Sequence, residues 1–397
     1  MPLPPIAADV TCGVDPRCHH LFRITRRNEL GSRLRQLCYG GRNIEALKHL
    51  DVCFNASMFA TSWMGPSEEA LRGAWGEGSW LRPLFDTLLD GSCIRADSRK
   101  LIVDIGANIG LYSLFFLALG CEVHAFEPLP INAEHLELSA RLNGFINRLT
   151  IHRTAVGQTP RNATLRTALR ATGYTHIAMD DSDMNGTEPL VRAKSSSNKT
   201  SYLDGYLNKY VKGPKTPHAP NLQWSVMSVP VERIDTALSS SPHLQQQHPH
   251  QRQHASSSSA SSSSLPTIDW MKVDTEGGEL EAFCAASRLL RAGKVRSIGY
   301  ELNSDTTTHN QARRIGWLLH RHRLLPAVVP GLPKWSLNGF LLGRTRTSTK
   351  AYMVVHTLAR SEEEWREETY NSTRWLPPEM AHSTTAALCS EELIGGH

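Results

Sequence analysis

The sequence lacks most of the features that would place it at once. No run approaches the ~20 consecutive apolar residues that a bilayer-spanning helix needs, so no transmembrane segment is expected. The eight cysteines, Cys12, Cys18, Cys38, Cys53, Cys93, Cys121, Cys284 and Cys389, contain no C-x-x-C pair, which argues against a zinc site and against a thioredoxin-like motif. Four of them fall in the first 53 residues and leave a local disulfide pair open. Charge of one sign is not in excess: 43 Lys and Arg against 38 Asp and Glu give +5 over 397 residues. That is no footprint for nucleic acid, and none is expected as a partner. Met1–Ala8 holds three prolines where a secretory leader would place a basic stretch and then an apolar one. The expectation is a soluble protein, cytoplasmic as written, or secretory if a leader is missing.

What is present is enough apolar residue, 40% of the chain, for a large core, which excludes a wholly disordered protein. Five N-x-S/T sequons begin at Asn55, Asn162, Asn185, Asn198 and Asn371. Their use depends on the compartment, which stays open.

The first 99 residues are irregular, with Leu30–Leu37 and Trp80–Leu89 patterned as helices, and read as a partly helical N-terminal extension. At Lys100 the character changes. Leu101–Gly106 is a short apolar run ending in glycine, the pattern of a buried parallel strand, and Leu111–Leu119 follows as an apolar helix. Glu122–Phe126 is again strand-like, Ile131–Leu142 is helical, and Leu149–Val156 alternates as a strand. Trp270–Asp274 and Ser297–Leu302 add strands around a helix over Glu279–Leu290. His309–Arg321 is the next helix, and Leu324–Val329 with Ala351–His356 finish the sheet. This alternation predicts an α/β fold with a mostly parallel sheet and helices on both faces, over residues 100–357. Two polar inserts interrupt it, about 180–225 and 239–264, and 358–397 reads as a C-terminal tail. The second insert, rich in Ser, Gln and His, has too little apolar surface to order itself.

Between the first strand and its helix lies Asp104-Ile-Gly-Ala-Asn-Ile-Gly110. Gly106 permits a sharp turn, and Gly110 lets the helix pack close to the strand end. Glu127, about 20 residues on at the end of the second strand, is placed to accept both hydroxyls of a ribose. A dinucleotide fingerprint would need glycine where Asn108 and Leu111 stand, and no Walker lysine follows. The acids Asp104, Glu127 and Asp274 at strand ends suit a cationic nucleoside, and S-adenosyl-L-methionine carries both a sulfonium and an ammonium.

Four ordered motifs, Asp104-Ile-Gly-Ala-Asn-Ile-Gly110, Ala125-Phe-Glu-Pro128, Val229-Pro-Val-Glu-Arg-Ile-Asp235 and Ile268-Asp-Trp-Met-Lys-Val-Asp-Thr-Glu-Gly-Gly-Glu279, resemble those of the FkbM-type methyltransferases. The resemblance implies a class I (Rossmann-like), seven-stranded fold and S-adenosyl-L-methionine as donor. It also implies O-methylation, often of a sugar or other small-molecule or glycan hydroxyl. It places cofactor contacts at Asp104, Gly106, Ala107, Asn108, Gly110, Glu127, Pro128 and Asp274. The fourth motif departs from the family's K-I-D-V-E-G-A-E at Thr275 and Gly278.

An acceptor hydroxyl must be held in line with the methyl and lose its proton, which one carboxylate can accept. Asp274 and Glu276 are the candidate bases, with Lys272, Glu279 and Glu301 supporting. Glu279 opens a helix and serves equally to offset its dipole. Lys272, mid-strand, needs a carboxylate partner, either Asp274 or Glu301. Asp274, Glu301 and Asn303 form an oxygen-rich trio suited to a hard cation, although no metal is assigned. A catalytically inactive binding module of the same fold and a nucleotide-dependent oxidoreductase are the competing readings, and the oligomeric state is not encoded legibly.

Overall fold

In the computed structural model of the chain, residues 23–27, 33–39, 52–58, 78–95, 98–168, 171–177, 224–241, 265–303, 307–327, 329, 351–366, 380 and 382–390 are described. They divide between two compact units, residues 1–153 with 329–332, and residues 154–328 with 333–397. The 239–264 tract beyond Ser241 and the 180–225 insert, except its last two residues, lie outside the described residues.

The first unit begins with strands β1 (Arg23–Arg27), β2 (Arg33–Tyr39) and β3 (Val52–Met58), which form an antiparallel sheet. This corrects the helix expected over Leu30–Leu37. Leu30, Leu34 and Leu37 have helical spacing, but a short apolar run does not settle its own conformation. Here the ladder from Arg33↔Met58 to Tyr39↔Val52 does. Helix α1 (Gly78–Leu88) matches the expected Trp80–Leu89. Strand β4 (Leu101–Ile105), helix α2 (Leu111–Ala118), strand β5 (Glu122–Phe126), helix α3 (Pro130–Leu142) and strand β6 (Leu149–His152) then alternate. β4, β5 and β6 run parallel, with Asp104 opposite Ala125 and Phe126 opposite His152. Every residue of β4 and β5 is buried, Asp104, Glu122 and His124 included, as in strands covered on both faces. The Cys93–Cys121 disulfide joins the segment before β4 to the turn before β5.

The second unit opens with β7 (Ala155–Val156), β8 (Arg161–Ala168), β9 (Ala171–Ile177) and β10 (Trp224–Glu232), a four-stranded sheet in the order β7-β10-β8-β9. The expected Leu149–Val156 strand is thus two strands belonging to different sheets. Helix α4 (Ile234–Ser239) leads towards β11 (Trp270–Val273), and the helix expected over Glu279–Leu290 is two, α5 (Glu279–Ala285) and α6 (Ser287–Arg291). Strand β12 (Ser297–Asn303), helix α7 (His309–Arg321), strands β13 (Leu324–Pro326) and β14 (Ala351–Leu358) and helix α8 (Thr385–Leu388) complete it. β11 and β12 are parallel, whereas β14 runs antiparallel to both β12 and β13.

The large sheet has seven strands, in the order β13-β14-β12-β11-β4-β5-β6. The architecture is therefore α/β and Rossmann-like with a mostly parallel seven-stranded sheet, as expected. The break between α5 and α6 has a tertiary cause: the buried Asp235 carboxylate accepts from the Arg288 backbone N–H at 3.3 Å, capping a helix that restarts. Part of the C-terminal tail is anchored. Arg314, 1% exposed on α7, donates to the Leu388 and Ser390 carbonyls. Cys389 is disulfide-bonded to Cys284 across 105 residues. In the chain-entropy account a loop of that length is worth about 5 kcal/mol.

Two features of this packing predict measurable stability effects. On β12, a Cβ at Gly299 would meet Trp270 Cη2 at 2.2 Å, so the buried indole occupies the space that glycine leaves. Gly299→Ala should cost about 1–3 kcal/mol by overpacking, read as a lower urea midpoint with an unchanged slope. Burial holds three histidines in their neutral form: His152 and His322 are pushed down to about 4, and His356 to about 3. In the unfolded chain each accepts a proton near pH 6.5. Between about pH 6.5 and 4 the unfolded state binds more protons, so stability should fall as pH falls through that window. The urea midpoint at pH 5 should lie clearly below that at pH 7. An unchanged midpoint would show that the folded imidazoles protonate freely.

Candidate functional site

The turn after β4 is made by left-handed backbone at alternate residues: Gly106 at φ 71, Asn108 at φ 54 and Gly110 at φ 92. Asparagine tolerates this region better than other side-chain-bearing residues, so Asn108 can stand where a dinucleotide motif has glycine. Gly110 has a second constraint. A Cβ there would lie 2.3 Å from Leu136 Cδ1, so the close approach it permits is to α3, not to the strand end as expected.

Five successive amides of this turn are satisfied inside the protein. Gly106 and Ala107 N–H donate to the Phe126 carbonyl, and Asn108 N–H donates to Glu127 Oε2 at 2.7 Å. Ile109 N–H donates to Asn108 Oδ1, and Gly110 N–H to the Ala107 carbonyl. A pyrophosphate cradle needs such amides for its ligand. Asp104, fully buried, accepts from Ser113 N–H at 3.1 Å and Ser113 Oγ at 2.6 Å, fastening the first turn of α2 to the end of β4. Ser113, embedded in an apolar helix, carried no signal in the sequence.

Glu127 is 4% exposed and spans two segments. While Oε2 takes the Asn108 amide, Oε1 takes the Leu129 N–H at 2.9 Å, just where Pro128 leads into α3. Asn132 Nδ2 approaches Oε1 at 3.5 Å, and Asn132 Oδ1 is buried with no hydrogen-bond partner among the described residues. An acidic acceptor beside an orphaned buried amide oxygen suits the hydroxyls and amine of a cationic nucleoside, so S-adenosylmethionine fits the donor set here. Asn132 was missed because one polar residue on a helix face looks like solvent-facing polarity. Phe126 and His152 stack at 4.2 Å behind Glu127, and the Glu127 amide bonds to the His152 carbonyl, which fixes the strand end that carries the acid.

The second group of candidates lies at the end of β11. Lys272, 3% exposed, pairs with Asp274, Nζ to Oδ2 at 3.2 Å, so Asp274 is one carboxylate partner, as expected. The β11–β12 register sets Lys272 opposite Gly299. Asp274 therefore stands level with Glu301, on the same face as Lys272. The carboxylates of Asp274, Glu276 and Glu301 converge, each offering an oxygen within 4.8 Å of the others. Such oxygens match what a hard cation takes, with the Lys272 ammonium beside Asp274 already supplying one positive charge. The third member is Glu276, where the sequence suggested Asn303, whose side chain lies outside the described residues.

Glu276 has a left-handed backbone, φ 54, and Gly277 follows at φ 107. Glu279 holds this turn from below. Its Oε1 accepts from Thr275 N–H at 3.1 Å, Thr275 Oγ1 at 3.2 Å and Gly277 N–H at 3.0 Å, while burial pushes its carboxyl above the usual range. Glu279 thus shapes the turn that presents Glu276. Two departures from the family pattern, Thr275 and Gly278, are neighbours in this turn. A Cβ at residue 278 would lie 3.2 Å from Thr275 Oγ1, so the threonine that serves Glu279 goes with glycine at 278.

The third sequence motif is a structural knot. Arg233 grips the fully buried Asp235 with two bonds, 3.0 and 2.7 Å, and also donates to the Gln158 carbonyl and to Ser287 Oγ. Gln158 N–H in turn donates to Glu281 Oε2.

Among solved structures, StiE O-MT residues 961–1257 matches with 10% identity and a TM-score of 0.33, covering 81% of this chain and 91% of that one. The O-methyltransferase from the trans-AT PKS multienzyme of Brevibacillus brevis, in complex with S-adenosyl-L-homocysteine, matches with 9% identity and a TM-score of 0.30, covering 86% and 97%. These likenesses are remote, and the fold rests on the strand order itself. No curated protein matches the chain. The methyltransferase FkbM domain, by contrast, matches residues 104–323. Since that stretch is more than half of the chain and starts at the acid that anchors the glycine turn, the chain belongs to the FkbM methyltransferase family, with S-adenosylmethionine as its cofactor.

Proposed function

We propose that the protein methylates a hydroxyl oxygen on a sugar or other small-molecule or glycan acceptor, with Glu276 as general base. When bound, S-adenosylmethionine supplies an electrophilic methyl group on a sulfonium. Glu127, with Asn132, holds the nucleoside. The turn at Gly106–Gly110, its amides already engaged, disfavours a pyrophosphate-bearing rival. Lys272 pairs with Asp274, and Glu276 and Glu301 bring two further carboxylate oxygens to the same place, where one of them can accept the proton of a polyhydroxylated substrate. The carboxylate convergence at the end of β11 is the observation that carries this reading. An oxygen nucleophile must shed a proton as its bond to carbon forms, and carboxylates are the groups provided. Incubation with methyl-labelled donor and a panel of monosaccharides, oligosaccharides, phenols, amines and thiols tests it. Label in a base-stable ether supports the proposal, and label confined to nitrogen or sulfur acceptors overturns it.

Two substitutions separate donor binding from proton transfer. Glu127→Gln should weaken S-adenosylhomocysteine at least tenfold by calorimetry, because hydrogen bonds to a charged acceptor contribute about 1.5–3 kcal/mol each. A modest loss in melting temperature should accompany it, since the Asn108 and Leu129 amides share that carboxylate. Wild-type affinity in this variant would remove the assignment.

Glu276→Gln should retain donor affinity and lose roughly 10²–10⁴-fold in turnover, with partial recovery at high pH where the acceptor ionises unaided. Asp274→Asn behaves differently, because it removes the carboxylate charge that pairs with the buried Lys272 ammonium and should lower stability as well as rate. Equal losses of donor affinity and rate in Glu276→Gln would leave proximity and orientation as the source of catalysis.

A further inference from the structure

Methyl transfer uses neither the disulfides nor the surface sequon, and both point to the same chemistry of surroundings. Cys93, Cys121 and Cys284 are almost fully buried, and four cysteines far apart in sequence meet as two bonded pairs, Cys93–Cys121 and Cys284–Cys389. Cytosolic thiols are kept reduced, so structural pairs of this kind belong to chains that fold where thiols are oxidised.

The sequon Asn162-Ala-Thr164 supplies the second observation. It lies on β8, where Asn162 pairs with Pro230 of β10. The two residues are exposed together with Ser228 and Glu232, while Leu165, Val229 and Val231 bury the opposite face. Period-two alternation thus directs the Asn162 amide to solvent and leaves Thr164, on the same face, partly exposed. A bulky polar glycan can extend from this face without displacing core side chains.

We infer that the protein matures in an oxidising, glycosylating compartment, where both disulfides form and Asn162 is an N-glycosylation site. Each cysteine pair gives up two protons and two electrons to the disulfide of a thiol–disulfide oxidoreductase, which leaves as a dithiol. At Asn162, the side-chain nitrogen forms a bond to C1 of a lipid-linked oligosaccharide. The C1–O bond to the lipid diphosphate breaks, and the amide proton passes to solvent base. This inference stands apart from the identity of the methyl acceptor, and a failed acceptor screen leaves it untouched.

The test uses full-length protein from its own cells, with free thiols blocked by N-ethylmaleimide at lysis. Mass spectrometry should find Cys93 peptide linked to Cys121 peptide and Cys284 peptide linked to Cys389 peptide before reduction. A glycan-cleaving amidase in ¹⁸O-water should mark Asn162 with the isotope. Thr164→Ala should abolish that mark and shift gel mobility by one glycan while leaving both disulfides in place. Maleimide on these four cysteines before reduction, or an unmodified Asn162 in the wild-type protein, would overturn the inference.

Discussion

One carboxylate ties together the two segments that follow β4 and β5. Glu127 takes the Asn108 amide with one oxygen and the Leu129 amide with the other, so the β4–α2 turn and the start of α3 are held by the same side chain. The Asn108 conformation, the approach of Gly110 to Leu136 and the orientation of Asn132 depend on that grip. A residue that fixes two segments at once has little room for substitution.

The second turn repeats the principle with different parts. Glu279 gathers the amides and hydroxyl of the Thr275–Gly277 turn much as Glu127 gathers its own neighbours. In each case a buried acid sets a left-handed residue, Asn108 or Glu276, in backbone that side chains rarely adopt. Strain of this sort survives only where surrounding bonds over-determine it, and it concentrates where chemistry is done.

Much of this was legible in the sequence because buried parallel strands leave a direct trace. β4, β5 and β11 are short, mostly apolar and buried throughout, and the acids and glycines at their ends mark where each strand stops. The β7–β10 sheet was not legible. Its strands are polar on one face and separated by long inserts, so Arg161–Ala168 gives no signal until β10 lies beside it. Ser113 and Asn132, and the partners of Asp235, were hidden for a related reason. Each acts through a partner supplied by another element, and neither periodicity nor composition records such a partner. Both disulfides belong to this class too, since spacing does not say which cysteines meet.

The Cys284–Cys389 bond has a topological consequence. It turns the stretch from the end of α5 to the end of α8 into a covalent ring that contains β12, α7, β13 and β14. A protease cutting once anywhere inside that ring, for example between β13 and β14, releases nothing: the two fragments stay tied through sulfur and can keep their places in the sheet. A single cut ahead of Cys284, in the 239–264 tract, meets no such tether and leaves the halves joined by packing alone.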